Sequence, residues 1–398
     1  MSSLLKSCFL SLLILTASKC MAANTWEIDL LPDPNSNSAP LASCVDEKNG
    51  RIIVMTKSGP RGAFLHKEGD CSLWEIGTDG QILNRIRLRD KSGNGIRTSA
   101  TAAGPGCAMA ADSMGNLLVA GVFVEQKKDR FLSILSTTSG VPADPNRTLS
   151  LGDRIDGFSV VKILSCPDNS FVLIGSQEEN GVYLRIDNQG RIVRKQTFDI
   201  GKREFFSGAV YLPASGGIVI SGFSIGDVSK DPNIGNFVLI YDPNDKLIHK
   251  DTFIGDCPEM LLSLPKVCCP DMGHLIVVFY HKNKEDNKAG LRARCYTHTL
   301  KLLWEKDLSS TDQIYFHFDL TPNRSNGFSV AVLSLKGVFF SSYDEKGSRI
   351  YGREYNGMTG FFGFNLMRVH DAVIAVFEEG GPGRIEDVLI KTKAVRFE

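Results

Sequence analysis

The chain has no surplus of charge of either sign. Lys+Arg and Asp+Glu both number 45 in 398 residues. There is no basic excess of the kind nucleic-acid binding demands, and no acidic tail. Tryptophan is scarce, with 3 in the whole chain. Beyond the N-terminal segment no run approaches the ~18 apolar residues of a membrane-spanning helix. Low-complexity stretches are missing. No CxxC pair is present, which argues against zinc held by the cysteines. No G-x-S-x-G elbow supports nucleophilic catalysis by serine. Residues 380–383 are Gly-rich but lack a following Lys-Ser/Thr, so they read as a surface hairpin rather than a phosphate loop.

Residues 1–23 read as a secretory signal peptide. Lys6 supplies the positive charge, residues 9–15 form an apolar stretch too short to span a bilayer, and Ala22-Ala23 precede the cleavage point. The expectation is an exported chain, secreted or periplasmic, folding as one monomeric domain over residues 24–398. Eight cysteines follow the signal, and an even number in an exported chain predicts disulfides. Cys44 with Cys71, and pairs among Cys257, Cys268, Cys269 and Cys295, are close enough in sequence to bridge. Buried free thiols are the alternative.

What the chain does contain is a repeated motif. Seven times an apolar run, a polar turn and a second apolar run follow one another, with turns at residues 46–50, 112–115, 167–169, 213–217, 270–273, 322–327 and 369–371. Neighbouring turns lie roughly 46–66 residues apart, a spacing close to that of propeller blades. In one unit, residues 158–164 and 171–175 read as strands around a Pro-Asp-Asn turn. Residues 182–186 and 191–199 read as two more strands around Asp187-Asn188-Gln189-Gly190. That second turn recurs at Asp79-Gly80, residues 242–245 and residues 344–347, and is weaker at residues 297–299. The expected fold is all-β: a seven-bladed β-propeller of four-stranded antiparallel blades.

Such a ring must close, or two apolar faces stay wet. Trp26-Glu27-Ile28-Asp29-Leu30 matches Trp304-Glu305-Lys306-Asp307-Leu308, an outer strand, while the C-terminal unit 360–398 has three strands. Residues 25–31 are therefore expected to complete the last blade.

Residues 111–121, Ala-Asp-Ser-Met-Gly-Asn-Leu-Leu-Val-Ala-Gly, contain a D-x-x-G-N core followed by V-A-G. They resemble the bacterial propeller repeats often called SBBP repeats. Residues 131–139 fit the same repeat, and residues 46–54 and 168–175 match it in part. The resemblance implies a propeller and export, and no particular activity. Quinoprotein dehydrogenase propellers are a looser likeness, but they need a Trp in most blades.

Chemistry on a propeller belongs at a mouth of the central channel, where the links between blades converge. These links contribute Asp153, Asp156, Arg203, Glu204, Asp256, Glu259 and Asp312, and His317 follows on an inner strand. The carboxylates would hold a cation, with calcium the fitting one, or form an acidic funnel for a basic ligand. Solvated loop charge is the plainer account. No other cofactor is expected. Phe339-Phe340 and residues 361–364 suit packing between blades, or stacking on sugars. Asn146-Arg147-Thr148 and Asn323-Arg324-Ser325 are glycosylation sequons. The leading function is a binding or scaffold module for a protein or glycan partner. The alternative is an enzyme, a hydrolase or oxidoreductase, with a site at the channel mouth and possible use of a metal.

Overall fold

Continuous apolar runs make the middle strands because both faces of each sheet are covered by neighbouring sheets. The computed structural model describes residues 27–31, 36–60, 69–88, 95–98, 107–125, 128–136, 148–149, 158–178, 180–187, 191–198, 203–225, 234–255, 264–271, 273–282, 289–311, 315–334, 337–356, 359–370, 372–380 and 390–397, some by backbone alone. The signal segment, Trp26 and Cys257 lie outside them. Phe158–Ser165, Phe171–Gln177, Asn180–Ile186 and Ile192–Thr197 form a four-stranded antiparallel meander in sequence order. Phe171, Val172, Leu173 and Ile174 are fully buried in it.

The turns close as their side chains dictate. Asn169 takes the left-handed conformation (φ 59°), and Asp168 accepts the Ser170 amide at 3.0 Å. Between third and fourth strands an aspartate caps the turn: Asp242 accepts the amides of Asn244 and Lys246, and Asp344 those of Lys346 and Ser348. At residues 297–299, the weak match, the Thr297 hydroxyl does the same for Thr299 and Lys301 at the longer distances of 3.3 and 3.2 Å.

The molecule is an all-β propeller of four-stranded antiparallel blades. Among the described residues the strands form six hydrogen-bonded sheets, not the seven separate ones expected from the repeat. The reason is local. Arg97–Thr98 pairs with Gly69–Asp70 on one side and with Val124 on the other. This short bridge merges the first two repeat units into one nine-stranded sheet.

Packing follows the repeat more closely than the ladders do. Seven hydrophobic clusters are present among the described residues, each between consecutive units. One of them packs Ile53, Met55 and Leu73 against Met109 and Val119, so the two halves of the nine-stranded sheet meet face to face. Another sets Ile374, Val376 and Ala394 near the C-terminus against Ile52, Val54 and Trp74. Phe340 stacks on Phe397 at 4.8 Å within a further cluster, so this aromatic is core.

Glu27–Leu30 pairs antiparallel with Ile390–Arg396, Leu30 opposite Thr392. Lys393 draws the same strands together. Its Nζ lies 2.5 Å from Glu27 Oε1, 3.0 Å from Glu379 Oε2 and 2.9 Å from the Tyr355 hydroxyl.

The expected disulfides do not form among the described cysteines: Cys44, Cys71, Cys107, Cys166, Cys268, Cys269 and Cys295 are free. Register explains two of the cases. Cys44 pairs with Ile53, whereas Cys71 pairs with Lys57, so an intervening strand and a four-residue offset separate the two. Cys268 and Cys295 both face Ile276 from opposite sides. Two strand spacings are about 9.5 Å, beyond the ~7 Å Cα limit for a disulfide. The sequon asparagine Asn323 is also spent internally. It is 2% exposed, and its amide donates to the Phe328 and Tyr343 carbonyls.

Candidate functional site: a polar layer of the central channel

The innermost strand of each unit pairs with the buried run of the second strand, so register identifies equivalent inner positions. Opposite the fourth residue of those runs stand Ala42, Ala108, Lys162, Gly208, Lys266, Asp319 and Asn365. One layer of the channel therefore carries two lysines, an aspartate and an asparagine. Its remaining positions are Ala or Gly.

Gly208 lies between the two lysines in chain order. A β-bulge precedes it, leaving Ser207 outside the ladder. Lys266 Nζ donates to the Ser207 carbonyl at 2.9 Å. A Cβ added at Gly208 would fall 2.8 Å from Ser221 Oγ and 3.5 Å from Lys266 Cα, so Gly keeps this approach open. Lys162 follows a second bulge and is exposed although it sits on an innermost strand. Water therefore reaches the channel at this layer.

Burial lowers the Lys266 pKa, the carboxylate of Asp319 raises it, and Lys162 lowers it. Asp319 Oδ2 accepts the Leu366 amide at 2.8 Å, which anchors it to the neighbouring unit. With two ammonium groups, one amide and one carboxylate, the layer carries net positive charge and donors to spare. It is suited to holding an anionic group.

The residues expected from the links are placed only in part. His317 is half-buried, two positions before Asp319 on Tyr315–Pro322, and strand alternation puts both on one side. It sits one step from the polar layer towards the link. Glu204 is fully buried near the start of Arg203–Leu212, and Arg203 begins that strand. Asp153, Asp156, Asp256, Glu259 and Asp312 lie outside the described residues. Lys162, Lys266, Asp319 and Asn365 were missed from sequence. Their one signal is a polar residue interrupting an inner-strand run, as in Phe158-Ser-Val-Val-Lys162-Ile-Leu.

Other polar clusters serve packing. Asp245 is 4% exposed and accepts the Tyr183 hydroxyl and, at 3.0 Å, Arg185 Nη1, so it ties two adjacent sheets together. Asp271 Oδ2 meets His274 Nδ1 at 2.7 Å, with Cys269 and His298 nearby. Among the described residues no group of three or more His, Cys, Asp and Glu is arranged to hold a metal ion.

No protein-family model and no curated protein matches this sequence. Solved structures do resemble it. The extracellular domains 1-2 of Drosophila Semaphorin 1b superpose over 93% of this chain and 86% of theirs, at 7% identity and a TM-score of 0.51. A catalytically inactive virginiamycin B lyase from Staphylococcus aureus, with quinupristin, covers 94% of this chain and 99% of its own at 12% identity and a TM-score of 0.46. NanB sialidase from Streptococcus pneumoniae covers 93% and 70% at 8% identity and a TM-score of 0.47. At these identities the likeness concerns fold alone.

Proposed function

We propose that the chain is an exported, monomeric, seven-bladed propeller that acts as a binding module, holding an acidic group of a protein or glycan partner in its central channel. The observation that carries this is the water-open layer formed by Lys162, Lys266, Asp319 and Asn365. The blade count is supported by the seven inter-unit clusters, and ring closure by the pairing of Glu27–Leu30 with Ile390–Arg396. Export rests on the signal-like N-terminus, and kinship with SBBP-type repeats on residues 111–121.

Titration calorimetry against uronate-bearing and neutral oligosaccharides, and against acidic peptides, tests the binding. An acidic ligand is expected to bind, and Lys162→Ala to weaken it by about tenfold, the ~1.4 kcal/mol scale of a charge-assisted hydrogen bond. Equal affinity of the variant, or a preference for neutral ligands, sinks the assignment.

A second function, as an enzyme at the channel mouth, is favoured by His317 and Asp319, which share one side of Tyr315–Pro322 beside the polar layer. In that case the carboxylates Asp153, Asp156, Asp256, Glu259 and Asp312, together with Glu204 and His317, are the ligands or acids at the mouth. Calcium found in stoichiometric amount by elemental analysis would favour this function over simple binding.

A further inference from the structure

The large apolar side chains left exposed follow a pattern. Ile82, Leu83, Val193, Leu247, Ile248, Leu302, Leu303, Ile350 and Tyr351 are 40–58% exposed. All nine occupy the first positions of an outermost strand: Ile82–Arg87, Ile192–Thr197, Leu247–Gly255, Leu302–Thr311 or Arg349–Asn356. Each strand begins directly after the turn from the third strand. In an up-and-down meander, every such turn lies at the same end of its blade. The apolar pairs therefore stand around the circumference of one face, at least once in each of five units. Met114, 51% exposed, projects from a first-to-second-strand turn at that same end. Tyr351 also packs edge-on against Phe340 at 6.0 Å, yet each of the nine leaves two-fifths or more of its surface in water.

Basic residues bracket the pairs. Arg191, Lys246, Lys301 and Arg349 immediately precede them, and a second Lys or Arg follows each pair within three residues. Most carboxylates near these tips are engaged, Asp187 also with Arg191 at 2.7 Å, while Asp79 and Glu345 stay exposed. Asp187, Asp242 and Asp344 accept their own turn amides, and Glu305 and Asp307 pair with Arg292. What the rim offers outward is apolar surface and the exposed cations Lys246, Lys301, Lys346 and Arg349, in excess over the exposed Asp79 and Glu345.

We propose that this rim seats the protein on the surface of an anionic lipid bilayer. A peptide or a small globular partner reaches one or two of the five positions, because they are spread around a ring. A plane reaches them all. A second copy stacked rim to rim would oppose lysine to lysine. Pairs of Ile, Leu and Tyr sink into the headgroup region while the flanking cations meet lipid phosphates, the arrangement of interfacial binding. This placement does not depend on the channel binding an acidic group.

The experiment is flotation of the full mature protein with phosphatidylcholine vesicles, with and without phosphatidylglycerol, alongside light scattering to give its mass. Flotation is expected only with the anionic vesicles and is lost at high salt. Leu247→Ser/Ile248→Ser combined with Leu302→Ser/Leu303→Ser should abolish it. Lys246→Glu with Lys301→Glu, which leaves every apolar pair intact, should cut the partition coefficient at least about tenfold, given about fivefold per cation. Near-ultraviolet circular dichroism checks that the variants fold. Failure of the wild type to float with anionic vesicles overturns the proposal. So does equal binding to neutral vesicles, or a dimer that the serine variant dissolves.

Discussion

Gly337 illustrates how much one backbone position can carry. It opens Gly337–Tyr343 with φ +144°, and an added Cβ would lie 1.9 Å from the Tyr355 carbonyl oxygen. Both the dihedral and the contact exclude any other residue. Gly337→Ala is expected to cost about 3 kcal/mol or more, read as a lower urea midpoint. An unchanged midpoint would mean the strand can shift. Lys266 is a comparable single-residue device, reaching the Ser207 carbonyl only because the adjacent position is Gly208. Neither glycine stands out in the sequence from the 38 present. What marks them is the approach of a second strand, which is absent from local pattern.

At the scale of the strand, burial of thiols ties stability to pH. Cys295 sits within Ala289–Thr297 at 1% exposure, and burial, with a smaller push from Asp271, raises its thiol to about 12. Its unfolded value is about 8.5. The folded state thus holds the proton more tightly. The stabilisation is complete below the unfolded value and drains away as pH rises towards the folded one. Urea unfolding between about pH 8 and about pH 10.5 should lose about 2–3 kcal/mol through this one group. Cys295→Ala should flatten that slope while lowering stability overall. An identical slope in the variant would assign the loss to other groups. The strands themselves were legible from sequence, because apolar runs and Asp-based turns are local. The channel layer was not. Lys162 and Asp319 are equivalent only once each inner strand is set against its partner, and bulges shift that register differently in each unit.

For the whole molecule, the question is what keeps the ring shut. Leu30 is fully buried against Ile52, Val54 and Trp74, and Glu27 meets Lys393 on the strand it pairs with. If this strand is the clasp, Leu30→Ala should remove about 2–4 kcal/mol of unfolding free energy. Deletion of residues 24–31 should remove more. Thermal and urea unfolding that ignore both changes would show the ring closes without it. The match between residues 26–30 and 304–308 pointed to an outer strand from sequence alone. The merging of the first two units through Arg97–Thr98 had no counterpart in the pattern, since a two-residue bridge leaves no periodicity.

The sequence by itself determined the repeating unit, its turns and the strands that must hide their faces, because those depend on neighbours within a few residues. Only the tertiary structure decided which residues share a layer, which cysteines lie too far apart to bridge, and that the exposed apolar pairs fall on one rim. Each of those is a distance between units, and no local alternation of apolar and polar residues encodes it.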